Sequence, residues 1–325
     1  MSQNLTEATP PGRGHEVANA QRAHKRRGLA LPSKESLMVD LSASVVVFLV
    51  AVPLCMGVAI ASGVPAELGL ITGIVGGIVV GAMPGSSMVV SGPAAGLTVL
   101  VYSAVTDHGV ASLGAIVLLA GLLQLLMGVL RMGQWFRAIS LPVVHGMLAG
   151  IGVLIIAGQL FVLVDDKPYG EGLQNILHSP TALHEVYAPG GTTHALAAML
   201  GILTIAIMLF WMQLPKKFHV VPSALVGVAT ATLITAVLDL EVHRITVTPN
   251  LLTAVSLPTT DTLRSFTDTG IVGSAVAFAL IASAESLLSA TAVDRMHDGR
   301  RTQYNAELRA QGVGNTICGS WVRSR

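Results

Sequence analysis

The chain has 325 residues, 52% of them hydrophobic and only 11% Asp, Glu, Lys or Arg, with a formal net charge of +1. An ordinary soluble domain carries about 25% charged residues, so too few charges remain to cover a water-facing surface, and the composition points to an all-α polytopic membrane protein. Nucleic-acid binding is excluded because no basic stripe interleaves with aromatics, and Cys55 and Cys318, both in apolar stretches, form neither a disulfide framework nor a zinc site.

Residues 1–36 are polar and include Arg22, Lys25, Arg26 and Arg27. A signal peptide would place a short apolar core soon after its charges and end in a cleavage site, so this segment reads as a disordered cytoplasmic tail ahead of a transport domain over 37–325. A membrane helix needs roughly 20 mostly apolar residues. Eight stretches qualify or nearly so: 38–61, 67–83, 91–106, 112–130, 140–164, 193–213, 219–238 and 271–291. With the tail inside and sides alternating, 14 Lys and Arg residues fall on the inner side, among them Arg131, Arg137, Lys216, Lys217, Arg295 and Arg309. The outer side holds only Lys167, Arg244 and Arg264. Basic residues concentrate on the cytoplasmic side of membrane proteins, which favours eight spans with the N-terminus cytoplasmic in the cell membrane. Small residues four apart, Gly73, Gly77 and Gly81 in the second stretch and Gly146 and Gly150 in the fifth, suit close helix packing in lipid. Pro53 is expected to kink the first span.

The third stretch is the most informative. Pro84, Gly85 and two serines lead to Val89 and Val90, then to Ser91, Gly92, Pro93, Ala94 and Ala95, and only then to a clean apolar pattern. Ser or Gly at the cap with Pro behind it is a helix-start signal. About 13 residues at about 1.5 Å each give roughly 20 Å, too short for a hydrocarbon core of about 30 Å. The helix therefore starts inside the membrane, where its free amides and positive dipole end must be buried or line a cavity. Such a half-helix start suits an anion; the bland alternative is a capped re-entrant helix with structural serines.

In the eighth stretch Glu285 is the one carboxylate deep in an apolar run, Val276 to Ala292. An ionisable group there costs at least about 2.5 kcal/mol and generally faces the protein interior on a transport pathway. Ser283 and Ser286 adjoin it and Ser289 shares its face one turn on; the bland alternative is a structural glutamate bonded to a neighbouring helix. Gln124, His145 and Gln159 read as interhelical glue, and the remaining histidines sit at loops or span ends without metal-ligand spacing. No cofactor or metal is expected, and no nucleophile–base pair or phosphate loop suggests an enzyme. Ala66-Glu67-Leu68 is echoed by Ala306-Glu307-Leu308 before another Gly-containing stretch, Gly312 to Gly319, as an inverted repeat would produce.

The strings DLSASVVVFLVAVPLCMGVAIASG from Asp40, SGPAAGLTVLV from Ser91, FALIASAESLLSATAVD from Phe278 and NAELRAQGVGN from Asn305 resemble the SulP family of inorganic anion transporters. The resemblance implies two inverted seven-helix repeats, with the anion between the half-helix starts of the third and tenth spans and the first and eighth spans lining the pocket. It places Ser91, Gly92, Pro93, Ala94 and Ala95 near the anion and Glu285, with Ser289 a turn on, at the coupling position. Branches of the family that couple to sodium tend to pair aspartate with a hydroxyl, so glutamate leans towards protons. The implied activity is secondary active transport, by symport, of sulfate or bicarbonate; the first span resembles a branch in which some members carry a carbonic anhydrase domain, which hints at bicarbonate. The implied partners are the anion, a proton or sodium ion, the lipid bilayer and a second copy in a homodimer. Against the family pattern the chain ends at Arg325, after the first repeat and the first helix of the second, and Ser320–Arg325 does not continue the apolar pattern. A truncated, non-transporting membrane fragment is therefore the alternative expectation.

Overall fold

The computed structural model describes residues 34–86, 88–138, 141–166, 168–169, 172–185, 192–215, 221–240, 264–296 and 299–322, with 218, 242 and 251 besides. The expected tail, Ser87, most of the long loop before Arg264 and the last three residues lie outside them. By its internal contacts the chain divides between Val47 and Phe48. The first unit is described only from Lys34, as an exposed helical stretch carrying Leu37, Met38, Leu41 and Val45.

Ten α-helices follow one another among the described residues. They are α1 (Lys34–Ala61), α2 (Ala66–Val75), α3 (Thr98–His108), α4 (Val110–Val129), α5 (Leu141–Leu163), α6 (Gly172–Glu185), α7 (Thr192–Gln213), α8 (Ser223–Val237), α9 (Thr269–Asp294) and α10 (Tyr304–Trp321). Four stretches, Ala43–Ala61, Val110–Val129, Thr193–Gln213 and Thr269–Asp294, are long and apolar enough to cross a membrane. Shorter apolar helices cover Ala66–Val80, Gly152–Leu163 and Ser223–Val237. Large apolar side chains such as Ile202, Phe210, Leu233 and Val237 stand exposed on α7 and α8, as lipid-facing surfaces do.

Local chemistry sets the helix boundaries. Pro65 and Pro222, in extended backbone, precede α2 and α8. Asp268 caps α9, its side chain accepting from the Gly270 amide at 2.8 Å. Gly109 joins α3 to α4 at φ +78°, a conformation that L side chains rarely adopt. Pro53 lies inside the unbroken α1.

The third stretch starts later than its sequence suggests. Ser91, Gly92 and Pro93 are not helical; Ala94 is extended, Ala95–Leu97 forms a 3-10 turn and α3 begins at Thr98. Ala94 holds φ −91° and ψ 122°, and no side chain caps the turn that follows. The eleven residues of α3 span about 17 Å, well short of a bilayer. The second stretch also departs from a plain helix, since α2 continues as a π-turn over Gly76–Val80, where the Gly81 amide reaches back five residues to the Gly76 carbonyl at 3.1 Å. This shift in phase moves the tight glycine face. A Cβ on Gly73 would lie 2.6 Å from Cys55 Sγ, whereas Gly77, Gly146 and Gly150 face open space.

The core lies where α4 meets α9 and α10, around Ile116, Ala275, Phe278, Ala279 and Leu308. Helix α10 is not among the eight apolar stretches, yet it is largely buried against α4. Gly114, Gly121 and Gly128, two turns apart, line one face of α4, and Gly312 and Gly319 answer from α10. A Cβ on Gly312 would lie 2.6 Å from the Leu125 amide, and one on Gly319 would overlap the Leu118 amide, so small residues bring the two backbones into contact.

Candidate functional site

The irregular backbone between α2 and α3, over Ser86 and Met88–Ala94, leads to the half-helix start, with Met88, Val90 and Gly92 exposed and Ser86, Val89 and Ser91 half-buried. It passes the π-turn after α2 at Gly76, where a Cβ would overlap the Ser91 carbonyl oxygen and lie 2.6 Å from its carbon. Ser91, Pro93, Ala94 and Ala95 are half-buried, while Gly92 is exposed with open space where a side chain would be. In the first turn the Leu97 amide is taken by the Ala94 carbonyl at 3.1 Å, and Thr98 Oγ1 donates to the Ala95 carbonyl at 2.7 Å.

The Gly96 amide, one residue beyond the segment singled out in the sequence, points at Glu285. It donates to Glu285 Oε1 at 3.2 Å across 189 positions of sequence. The fit leaves no slack, because a Cβ on Gly96 would lie 2.7–2.8 Å from the carboxylate atoms. The other oxygen, Oε2, is buried and has no hydrogen-bond partner among the described residues. The two features that looked independent in sequence thus meet in one hydrogen bond: a carboxylate occupies an amide in the first turn of the half-helix. A negative charge is favoured at that end by the unpaired amides and the dipole.

The α9 neighbours of Glu285 turn to other partners. Ser283 is fully buried, donates to the Ala279 carbonyl at 2.5 Å and accepts from Gln124 Nε2 at 3.2 Å. Ser286 accepts from Gln311 Nε2 at 2.5 Å. Ser289 is half-buried one turn beyond Glu285. Gln124, with no exposed surface, is the hub of an amide cluster: it donates to Gln311 Oε1 at 3.2 Å and accepts from Asn315 Nδ2 at 2.7 Å. This bears out its reading as interhelical glue. Gln159 is exposed, and the His145 side chain lies outside the described residues.

The sequence reading missed Glu307 as a site residue. It is buried in the first turns of α10, and its Oε2 accepts from the Ser86 amide at 2.7 Å, at the start of the lead-in segment. The repeat echo at Ala306-Glu307-Leu308 was the one available signal, and it carried no hint of this contact. Among the described residues no group of three His, Cys, Asp or Glu side chains could hold a metal ion.

Residues 37–321 match the model of the sulfate permease family. The bicarbonate transporter BicA of Picosynechococcus sp. is 26% identical over 300 residues, covering 86% of this chain and 50% of that protein. The sodium-independent sulfate anion transporter of Bos taurus is 30% identical over 179 residues, covering 54% of this chain and 28% of that one. The chain spans about half the length of the curated relatives it matches first. In fold it is similar to the solved transmembrane domain of a cyanobacterium bicarbonate transporter BicA, with a TM-score of 0.72 at 23% identity, covering 89% of this chain and 74% of that one.

Proposed function

The chain belongs to the sulfate permease family, and from that premise we propose that it takes part in secondary active transport of an inorganic anion, sulfate or bicarbonate, across the cell membrane. The observation that carries this reading is the Glu285 carboxylate on the Gly96 amide. A half-helix start that holds one negative oxygen has the donors and the dipole to hold another. The anion would sit against Ser91–Ala95, on the open side of Gly92.

Coupling follows from charge. Glu285 and a bound anion would compete for one half-helix start, and two negative charges at close range in a poorly screened site repel. A cation removes the conflict, either a proton on the carboxylate or a sodium ion beside its unpartnered Oε2. Ser289, one turn along, is placed to complete a cation site. This supports symport, in which the anion binds best once the cation has arrived.

We also read α9 and α10 as the opening of a second repeat that echoes α1 and α2. In both pairs a long helix precedes one beginning near Ala-Glu-Leu, and Ala66 and Ala306 are both buried, at 4% and 5% exposure. The N-terminus is read as cytoplasmic from the sorting of Lys and Arg.

A Ser91→Cys variant of the full-length protein tests the anion site. Sulfate or bicarbonate should slow its modification by a small thiol reagent, and labelled anion should accumulate in proteoliposomes. The reading fails if neither anion protects Ser91→Cys and uptake equals that of empty vesicles.

A further inference from the structure

Ser86 and Met88–Ala94 belong to no helix, so no helical hydrogen-bond ladder fixes the place of this lead-in. What holds it is a small set of contacts from elsewhere in the chain. Gly76 packs against the Ser91 carbonyl in its middle. At the far end, Gly96 is bound to Glu285. At the near end, the Ser86 amide donates to Glu307 Oε2 at 2.7 Å, and the Gly85 carbonyl accepts from the Gln303 amide at 3.3 Å. A Cβ on Gly85 would overlap Glu307 Oε2 and lie 3.1 Å from Glu307 Cα, so the chain is seated directly on the start of α10.

Two carboxylates on consecutive helices thus grip the two ends of one segment, Glu285 at Gly96 and Glu307 at Ser86. An acidic residue near a helix start gains from the dipole even when exposed, so dipole compensation alone does not require Glu307 to be 5% exposed and aimed at a loop 221 positions away. Burial of a carboxylate is expensive unless hydrogen bonds repay it, and the bond found goes to backbone, not to a basic side chain. We propose that Glu307 is a positioning residue: through the Ser86 amide it sets the register of the lead-in segment and hence where the half-helix amides stand. Its connection to transport rests on the reading of Ser91–Ala95 as the anion site; the contact itself does not. The α9–α10 connection holds Glu307 steady, because the buried Asp294 accepts from the Thr302 amide at 3.0 Å and from its hydroxyl at 2.9 Å.

The test uses the full-length protein with Ser91→Cys as reporter, modified by a small thiol reagent in the absence of any anion. Thr316→Cys, at the α4–α10 contact, serves as control for general loosening. A hydrogen bond to a charged acceptor is strong enough that Glu307→Ala should change the Ser91→Cys rate by about tenfold, while Glu307→Gln, which keeps an acceptor oxygen but loses the charge, should change it by only about threefold. Gly85→Ala, which crowds Glu307, should shift the rate as Glu307→Ala does, and it provides the measurement if Glu307→Ala does not fold. The Thr316→Cys rate should not move in any of them. An unchanged Ser91→Cys rate in Glu307→Ala and Gly85→Ala overturns the proposal, as do equal changes in the Ala and Gln variants at Glu307 or a parallel rise at Thr316→Cys. If the positioning effect is present but no anion protects wild-type-background Ser91→Cys, the anion-site reading is what has failed.

Discussion

Replacing Glu285 by Gln is the most direct probe of the site. The amide side chain has the same shape, and its oxygen can still accept from Gly96, so the half-helix keeps its partner at about the observed 3.2 Å. What disappears is a full negative charge beside the place proposed for the anion. At about 4–5 Å and an effective dielectric constant near 20, two unit charges interact with about 3–4 kcal/mol. Glu285 is half-buried, and water reaching it weakens the repulsion, so about half that value is a fair expectation, roughly 1.5–2 kcal/mol. This corresponds to about a 10- to 30-fold change in affinity. We predict that Glu285→Gln binds labelled sulfate or bicarbonate more tightly by that factor, and that uptake into proteoliposomes loses its dependence on the proton or sodium gradient. Gly96→Ala separates charge from geometry: its methyl, 2.7 Å from Oε1, displaces the carboxylate but leaves its charge in place, so the gradient dependence should survive. Unchanged or weaker anion binding in a folded Glu285→Gln protein would refute the competition argument, as would gradient-dependent uptake that persists.

Other parts of the molecule give further expectations. Gly121→Val should destabilise the α4–α10 contact, because even its Cβ overlaps the Thr316 amide and lies 2.7 Å from Thr316 Oγ1; overpacking of this kind costs about 1–3 kcal/mol, and an unchanged thermal unfolding temperature in detergent would contradict it. Gln124→Ala strands the half-buried donor of Asn315 and empties the centre of the amide cluster, where Gln124 itself has no exposed surface, with an expected loss of about 2–3 kcal/mol measured in the same way. For topology, cysteines at Asp166 and Arg264 should react with an impermeant reagent from outside the cell and one at Lys217 should not; labelling at Lys217 from outside would overturn the eight-span arrangement.

The parts of the fold legible in the sequence are those where composition and length decide the outcome. A run such as Val110–Val129 has no alternative to a helix in lipid, and thirteen residues after Pro93 cannot span a bilayer. Glu285 stood out because a lone carboxylate in an apolar run is expensive. That it touches Gly96 was not legible, since the contact joins residues 189 positions apart and local patterns carry no record of such pairings. Helix α10 escaped for a different reason: Asn305, Glu307, Arg309, Gln311 and Asn315 make it too polar to qualify as a span, although Glu307, Gln311 and Asn315 find partners on other elements of the protein. Gly-Pro resembles a cap with proline in the first helical position, whereas the 3-10 turn starts two residues beyond Pro93 and α3 five residues beyond it, after an extended Ala94.

The glycine face shared by α4 and α10 also bears on how the chain is made. Helix α4 ends at Val129, while α10 begins at Tyr304. At a synthesis rate of about 5–20 residues per second, roughly 9–35 s separate the emergence of one from that of the other. Throughout that interval Gly114, Gly121 and Gly128 present a groove for which the matching helix does not yet exist. Any other small-residue helix in the same membrane can occupy it, and a chaperone or the insertion machinery that shields α4 would raise the yield of folded protein without touching its final stability. The central contact of the molecule closes only after residue 321 has left the ribosome.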